Sequence, residues 1–388
     1  MFDIQYPPPA EKVILTGLLT QNMDKNLFEE DMQEMVMLCR TAGAEIADFS
    51  VQKMEKPRPS TYLGKGKISE IKEIMKNQKI KTLVIDTQLT PGQIRNIEKK
   101  IDGKVIDRSQ LILDIFAQHA KTNEARVQVE LAQLRTLYPR LTHAWSHFSQ
   151  QVGGIGTRGP GEKQLEVDRR LVQKKISDLK RKLKKIENSR KTQRRSRREL
   201  IRLALVGYTN VGKSSILNAL SGSEVYIENQ LFATLDTASR RVYIPQIGNV
   251  IISDTVGFLR RLPHHLVASF KSTLEVVREA DILLIVMDLS SKWTDQQLAT
   301  VNQVLKDLGA IDNRRLLLFN KADLVENPFE KKKNAIAYPE SLMVSAFRPD
   351  DMKILKEKIK EIIIQYKRDK KITELIKKQT KRVSIKRK

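Results

Sequence analysis

The chain of 388 residues is short of several things, and each shortage excludes something. Its single cysteine, Cys39, cannot form an intrachain disulfide, which fits a reducing compartment and a cytoplasmic protein. Cys39 lies in an apolar helical stretch and reads as a small core residue. Long apolar runs are missing too. The longest, Ile282 to Met287, falls far below the ~20 residues that a bilayer crossing needs. The opening MFDIQYPPPAEK has no basic stretch followed by an apolar one, so no signal peptide is expected there. Acidic residues are scarce: 46 Asp and Glu stand against 70 Lys and Arg, a net charge of +24. Apolar residues still make up 40%, enough for packed cores, and the length suits two or three domains of about 100–200 residues each.

The excess charge is not spread evenly. Residues 1–160 and 201–367 each carry 22 basic and 19 acidic side chains, whereas 161–200 carry 16 and 6, and 368–388 carry 10 and 2. Two nearly neutral bodies are therefore joined and followed by strongly basic segments. Concentrated positive charge attracts polyanions, because each neutralised phosphate releases a condensed counterion. The plain alternative is a solvated helix face and a tail that aid solubility.

Four segments follow from charge and periodicity. In residues 1–107, strands at Val13–Leu19, Glu45–Met54, Thr82–Ile85 and Lys104–Ile106 alternate with helices at Phe28–Arg40, Ile68–Met75 and Pro91–Ile101. That alternation predicts a small parallel α/β sheet. The stretch Gly64-Lys-Gly-Lys67 reads as a turn before a helix rather than a phosphate loop. In residues 108–200, Val127, Leu131, Leu134, Tyr138 and Leu141 form one stripe. Leu165, Arg169, Val172, Ile176, Leu179, Leu183 and Ile186 form another. Alternating spacings of three and four predict a projecting antiparallel helical hairpin, with Arg169 alone breaking the apolar seam; the plain alternative, each helix packing on a globular domain, is less in keeping with flanks as polar as RKLKK and SRKTQRRSRR. Between the stripes lies Gly153-Gly-Ile-Gly-Thr-Arg-Gly-Pro-Gly161. Its glycines allow close approach to a partner. Gly153, Gly154, Thr157, Arg158 and Gly159, with Trp145 just before them, are candidate RNA contacts, an aromatic beside a basic tip being suited to stacking on unpaired bases. Residues 368–388 form a basic tail.

Residues 201–367 carry the most specific chemistry. The apolar strand Leu203–Val206 runs into Gly207-Tyr208-Thr209-Asn210-Val211-Gly212-Lys213-Ser214 and a helix from Ser215. This Gly-x4-Gly-Lys-Ser pattern in a strand–loop–helix setting is a phosphate loop. Backbone amides and the helix N-terminus would hold the β-phosphate. Lys213 would reach the β- and γ-phosphates, and Ser214 would bind Mg²⁺. A second apolar strand, Asn249–Ser253, leads into Asp254-Thr-Val-Gly257. Asp254 would act in the second shell of Mg²⁺, and the Gly257 amide would sense the γ-phosphate. Thr234 is the candidate magnesium-binding hydroxyl of an intervening loop, with Thr237 as its rival. The strand Leu316–Phe319 closes on Asn320-Lys321-Ala322-Asp323. A carboxylate at Asp323 accepts from guanine N1–H and its 2-amino group, a donor pair that adenine lacks. Ser345-Ala346 would offer a backbone amide to guanine O6. Lys213, Thr234 and Gly257 are the expected catalytic set, and GTP or GDP the expected ligand. Together the four motifs predict a Ras-like P-loop GTPase domain.

These residues resemble the HflX GTPases over nearly the whole chain. The resemblance rests on Gly64–Lys67, Ala125–Leu134, Gly153–Lys163, Leu231–Asp236 and Asp254-Thr-Val-Gly-Phe258. It implies a protein that binds the large ribosomal subunit with its N-terminal domain and hairpin near the peptidyl-transferase region, and that splits stalled ribosomes under stress. A monomer is expected. Many relatives have proline after the Thr-Leu-Asp loop where this chain has Thr237. An RNA-binding or RNA-remodelling protein regulated by GTP is the alternative. Phe258 stands where Ras-like enzymes have the glutamine that orients the attacking water, so slow intrinsic hydrolysis and acceleration by a partner are expected.

Overall fold

The computed structural model describes residues 10–144, 160–195, 200–222, 232, 238–261 and 271–386. The chain divides into two compact units, Met1–Lys191 with Arg261–Phe270, and Thr192–Arg260 with Lys271–Lys388. No helix among the described residues is long and apolar enough to cross a membrane.

The first unit is built on a four-stranded, wholly parallel sheet. Its strands are β1 (Glu11–Thr20), β2 (Ala44–Met54), β3 (Thr82–Ile85) and β4 (Lys104–Asp107), in the order β2-β1-β3-β4. Helices α1 (Lys25–Thr41), α2 (Lys65–Gln78) and α3 (Pro91–Ile101) connect them. Polar side chains cap α1 and α3. Asp24 accepts from the amides of Asn26 and Leu27. Thr90 and Gln93 form a reciprocal capping box that spans Pro91, whose fixed φ suits the first helical turn. Gly64 is the N-cap residue of α2 and donates its amide to the Gln52 side chain at 2.8 Å, so this stretch is a turn into a helix. Ile14, Ile71, Leu83, Ile85 and Ile97, aliphatic throughout, fill the core. Cys39 is fully buried, and burial pushes its thiol up to about 12, which keeps it an inert packing residue.

Helix α4 (Arg108–His119) starts directly after β4, with the Asp107 carboxylate accepting from the Gln110 amide. It buries Leu111, Ile112, Leu113, Ile115 and Phe116. Helices α5 (Asn123–Ala144) and α6 (Pro160–Arg195) then form the hairpin. Val127 and Leu131 pack with Leu179, and Leu134, Ile176 and Leu183 flank them. The break in the seam has a physical reason. Arg169 lies 5.8 Å from the centroid of the Tyr138 ring, so a cation on an aromatic face replaces an apolar pair. Lys175 pairs with Glu130 at 2.6 Å beside the seam.

The second unit is a six-stranded sheet in the order β10-β9-β8-β5-β7-β6. It comprises β5 (Arg202–Gly207), β6 (Ala238–Ile244), β7 (Gly248–Asp254), β8 (Ile282–Asp288), β9 (Arg314–Asn320) and β10 (Leu342–Met343). Only the β6–β7 pairing is antiparallel. Ile282 to Met287 are all buried, because a central parallel strand is covered on both faces. The helices are α7 (Lys213–Ser221), α8 (Lys271–Arg278), α9 (Thr294–Asp307), α10 (Pro328–Ala337) and α11 (Pro349–Lys386). The basic residues from 368 do not form a separate segment: α11 runs through them to Lys386. Lys, Arg, Glu and Ile are adequate helix formers, and neither Gly nor Pro intervenes to stop the helix.

Candidate nucleotide-binding site

The site sits where β5, β7 and β9 end, the crevice outside the carboxyl ends of a parallel sheet. The strand β5 is apolar and buried, so it delivers the following loop from a rigid base. The loop then needs backbone freedom. A Cβ on Gly207 would lie 2.1 Å from the Val286 carbonyl, and one on Gly212 (φ +89°) would lie 2.2 Å from the Asn320 amide nitrogen. Asn210 also takes a positive φ, of 60°, which its residue type tolerates. Gly212 is the N-cap of α7, so the first amides of that helix face the loop.

Lys213 opens α7 and is 6% exposed. Its ammonium folds back over the loop, donating to the carbonyls of Tyr208 at 2.7 Å and Gly207 at 3.2 Å. Burial holds this amine well below the ordinary lysine value, to about 8, against the opposing pull of the Asp254 carboxylate. The next residue, Ser214, donates its hydroxyl to Asp254 Oδ2 at 2.6 Å. A hydroxyl and a carboxylate are the hard oxygen donors that Mg²⁺ prefers. Ser215, Val211 and Thr209 complete the loop. The Thr209 amide donates to the Phe258 carbonyl at 2.9 Å, and the Phe258 amide to the Gly207 carbonyl at 3.0 Å. These two bonds lace the Asp-Thr-Val-Gly segment to the phosphate loop. Gly257 lies so close that a Cβ there would be 2.7 Å from Thr209 Cα and 3.0 Å from Lys213 Nζ. Thr255 adds a bond from its hydroxyl to the Leu205 carbonyl at 2.7 Å. Phe258 is 2% exposed, a core side chain, which accounts for its apolar identity.

The Asn320–Asp323 and Ser345-Ala346 segments, the expected base readers, are tied to each other. Asn320 uses both ends of its amide internally: Nδ2 donates to the Val211 carbonyl at 2.9 Å, and Oδ1 accepts from the Ala346 amide at 3.1 Å. It thus struts the phosphate loop and the Ser345-Ala346 loop. Lys321 (φ +63°) pairs with Asp288 at 2.7 Å. The Ser345 amide donates to Asp351 Oδ2 at 2.7 Å. Asp323 differs from all of these. Its Oδ1 is buried and has no hydrogen-bond partner, an arrangement that costs free energy unless a donor arrives.

The sequence signals for the partners Asp288 and Asp351 are weak, one acidic residue at a strand end and another in the first turn of a helix, and nothing in the Asp-Thr-Val-Gly motif marks Thr255 as a bond to β5. Thr234 and Thr237 lie outside the described residues, as do Trp145, Gly153, Gly154, Thr157, Arg158 and Gly159.

A sheet parallel but for β6, with a Gly-x4-Gly-Lys-Ser loop after β5, a linked Asp-Thr-Val-Gly segment after β7 and an Asn-Lys-Ala-Asp segment after β9, defines a P-loop GTPase domain. Comparison with known proteins agrees and narrows this. Residues 202–321 match the family described as 50S ribosome-binding GTPase. Residues 29–117 match GTP-binding GTPase N-terminal, and 119–197 match GTP-binding GTPase Middle Region. A GTPase HflX of Flavobacterium psychrophilum is 50% identical over 313 residues, covering 81% of this chain and 76% of that one. The GTPase HflX of Escherichia coli is 42% identical over 329 residues, covering 84% and 76%. The chain belongs to the HflX family of GTPases. A solved structure titled SsGBP and GDP complex shares the fold, with a TM-score of 0.52 and 24% identity over 92% of this chain and 99% of that one.

Proposed function

We propose that the chain binds GTP with Mg²⁺, binds the large ribosomal subunit, and dissociates stalled ribosomes in its GTP form. The observation that carries the nucleotide part is the buried, unpartnered Asp323 Oδ1 beside a preformed phosphate loop. Guanine supplies the N1–H and 2-amino donors that this carboxylate lacks, and adenine does not. The ribosomal part is supported by the match to a 50S ribosome-binding GTPase family and by the concentration of positive charge in residues 161–200 and 368–388.

Each residue has a defined part. Lys213 exchanges its two loop carbonyls for β- and γ-phosphate oxygens, and its charge spreads over the transferring group. Ser214, with Asp254 behind it, would hold Mg²⁺ together with Thr234; the ion, when bound, neutralises phosphate charge. The Gly257 amide meets the γ-phosphate, and the segment after it answers to that contact. Phe258 is buried in the core and cannot hydrogen-bond water, so nothing at that position orients the nucleophile. Hydrolysis by the isolated chain is then slow, and the bound ribosome completes the site.

The test is a sucrose-gradient profile of intact ribosomes with the protein and a non-hydrolysable GTP analogue, GDP or no nucleotide. Loss of intact ribosomes and co-migration with the large subunit, only with the analogue, supports the reading. Migration free of ribosomes in all three conditions refutes it and leaves a GTP-regulated protein acting on other RNA.

A further inference from the structure

Two exposed large apolar side chains directly follow the groups expected to read the base, and the backbone under one of them is rigid. Leu324 directly follows Asp323 and is 62% exposed, and Phe347 directly follows Ala346 and is 78% exposed. The backbone that carries Phe347 is the opposite of loose. The Ser345 amide is bonded to Asp351, the Ala346 amide to Asn320, the Phe347 amide to Ser345 Oγ at 3.3 Å, and the Arg348 amide to the Ser345 carbonyl at 3.0 Å. Four successive amides are thus committed. The ring keeps only its two side-chain torsions, so fixing it against a ligand costs little entropy. Its Cα lies one step, ~3.8 Å, from that of the residue whose amide would meet guanine O6.

We propose that Phe347 is a wall of the base site, its ring packing on the face of the guanine whose edge Asp323 and Ala346 read. This rests on the reading of the site as a GTP site and adds a contact of a different kind. Hydrogen bonds at the purine edge distinguish one base from another. A ring on the purine face is indifferent to the edge and contributes affinity, because every base offers a π-face. Bound nucleotide would cover the exposed ring, and the ring would exclude water from the bonds to Asp323, where each bond is then stronger.

The two contributions separate with nucleotide analogues. In F347A, affinity for GDP should fall roughly 5- to 150-fold, the range of aromatic–base stacking. Affinity for IDP, which lacks the 2-amino group, should fall by the same factor, and affinity for pyrophosphate should not change. F347L should recover part of the loss. In F347W, the new indole should change its emission on GDP addition beyond any change in the parent chain, which carries Trp145 and Trp293. The side chain is exposed, so the unliganded melting temperature of these variants should match that of the parent. Parental GDP affinity in F347A, or F347W emission indifferent to GDP, overturns the proposal. So does a variant that binds GDP normally and loses ribosomal subunits, since Phe347 would then be a docking residue. A parent chain that binds no GDP would instead refute the nucleotide reading itself.

Discussion

The buried amine of Lys213 makes nucleotide binding a proton-linked event. Its displacement from 10.5 to about 8 corresponds to roughly 3 kcal/mol held by the fold against the charged form. Below about pH 8 the unliganded chain carries that cost in full. As pH rises from about 8 towards 10.5, the folded chain loses the proton before the unfolded chain does, so the unliganded fold gains stability. Phosphates reverse the preference, because they favour the ammonium. GDP must therefore bring a proton with it above about pH 8. One-proton linkage gives an affinity about twofold weaker at pH 8 and about tenfold weaker at pH 9 than at pH 7. The assay is calorimetric titration with GDP at these three values in two buffers of different ionisation enthalpy, which yields the protons taken up. K213R supplies the control: a guanidinium stays charged throughout, so any remaining dependence belongs to the nucleotide. Flat affinity from pH 7 to 9 in the parent chain, or the same slope in K213R, refutes the reasoning.

Other expectations follow from the same geometry. D323N should weaken GTP binding by about 10²- to 10⁴-fold, the worth of two hydrogen bonds to a charged acceptor, and should improve binding of xanthosine triphosphate, whose 2-oxo group accepts from the new amide; nucleotide titrations check both. G257A should lower the melting temperature of the GTPase domain by the equivalent of ~1–3 kcal/mol, because the added methyl meets Thr209 backbone at 2.7 Å. L131A should destabilise the hairpin by ~2–5 kcal/mol in chemical denaturation, since Leu131 is 4% exposed in its seam. Replacing Lys377, Lys378, Lys381 and Arg382 with Gln should flatten the salt dependence of ribosomal-subunit binding by roughly 0.7–0.9 logarithmic units per lost phosphate contact.

Where local chemistry determines local structure, the fold is legible in the residues. The apolar strand before Gly207 and the glycines after it are required by one another, so their order alone identifies the phosphate loop. The hairpin seam is legible because two stripes of 3–4 spacing, flanked by highly polar sequence, can bury their apolar faces against each other. Even its one interruption is intelligible once Arg169 is seen against Tyr138. Strand β6 is not legible in the same way. Its sequence Ala-Ser-Arg-Arg-Val-Tyr-Ile mixes exposed and buried positions on a sheet edge, and its antiparallel pairing with β7 depends on a turn with positive φ at Gln246 and Gly248. The end of α11 is obscured for another reason. Charge marks a change of character at residue 368, but charge does not end a helix. The role of Asn320 is hidden by distance: its partner Val211 is 109 positions away, and only the folded chain brings the two together.

The bond from the Ser345 amide to Asp351 Oδ2 has a mechanical consequence. Asp351 belongs to the first turn of α11, and from there to Lys386 that helix extends for about 50 Å at 1.5 Å per residue. The Ser345-Ala346 loop is thereby fastened to the root of a long helix whose far half is rich in Lys and Arg. If a polyanion grips that far half, any strain it puts on the helix root reaches this bond, and reciprocity would then require nucleotide to alter the grip by the same factor. The rate of nucleotide release, followed with and without a polyanion, would then read what the other end of the helix is holding.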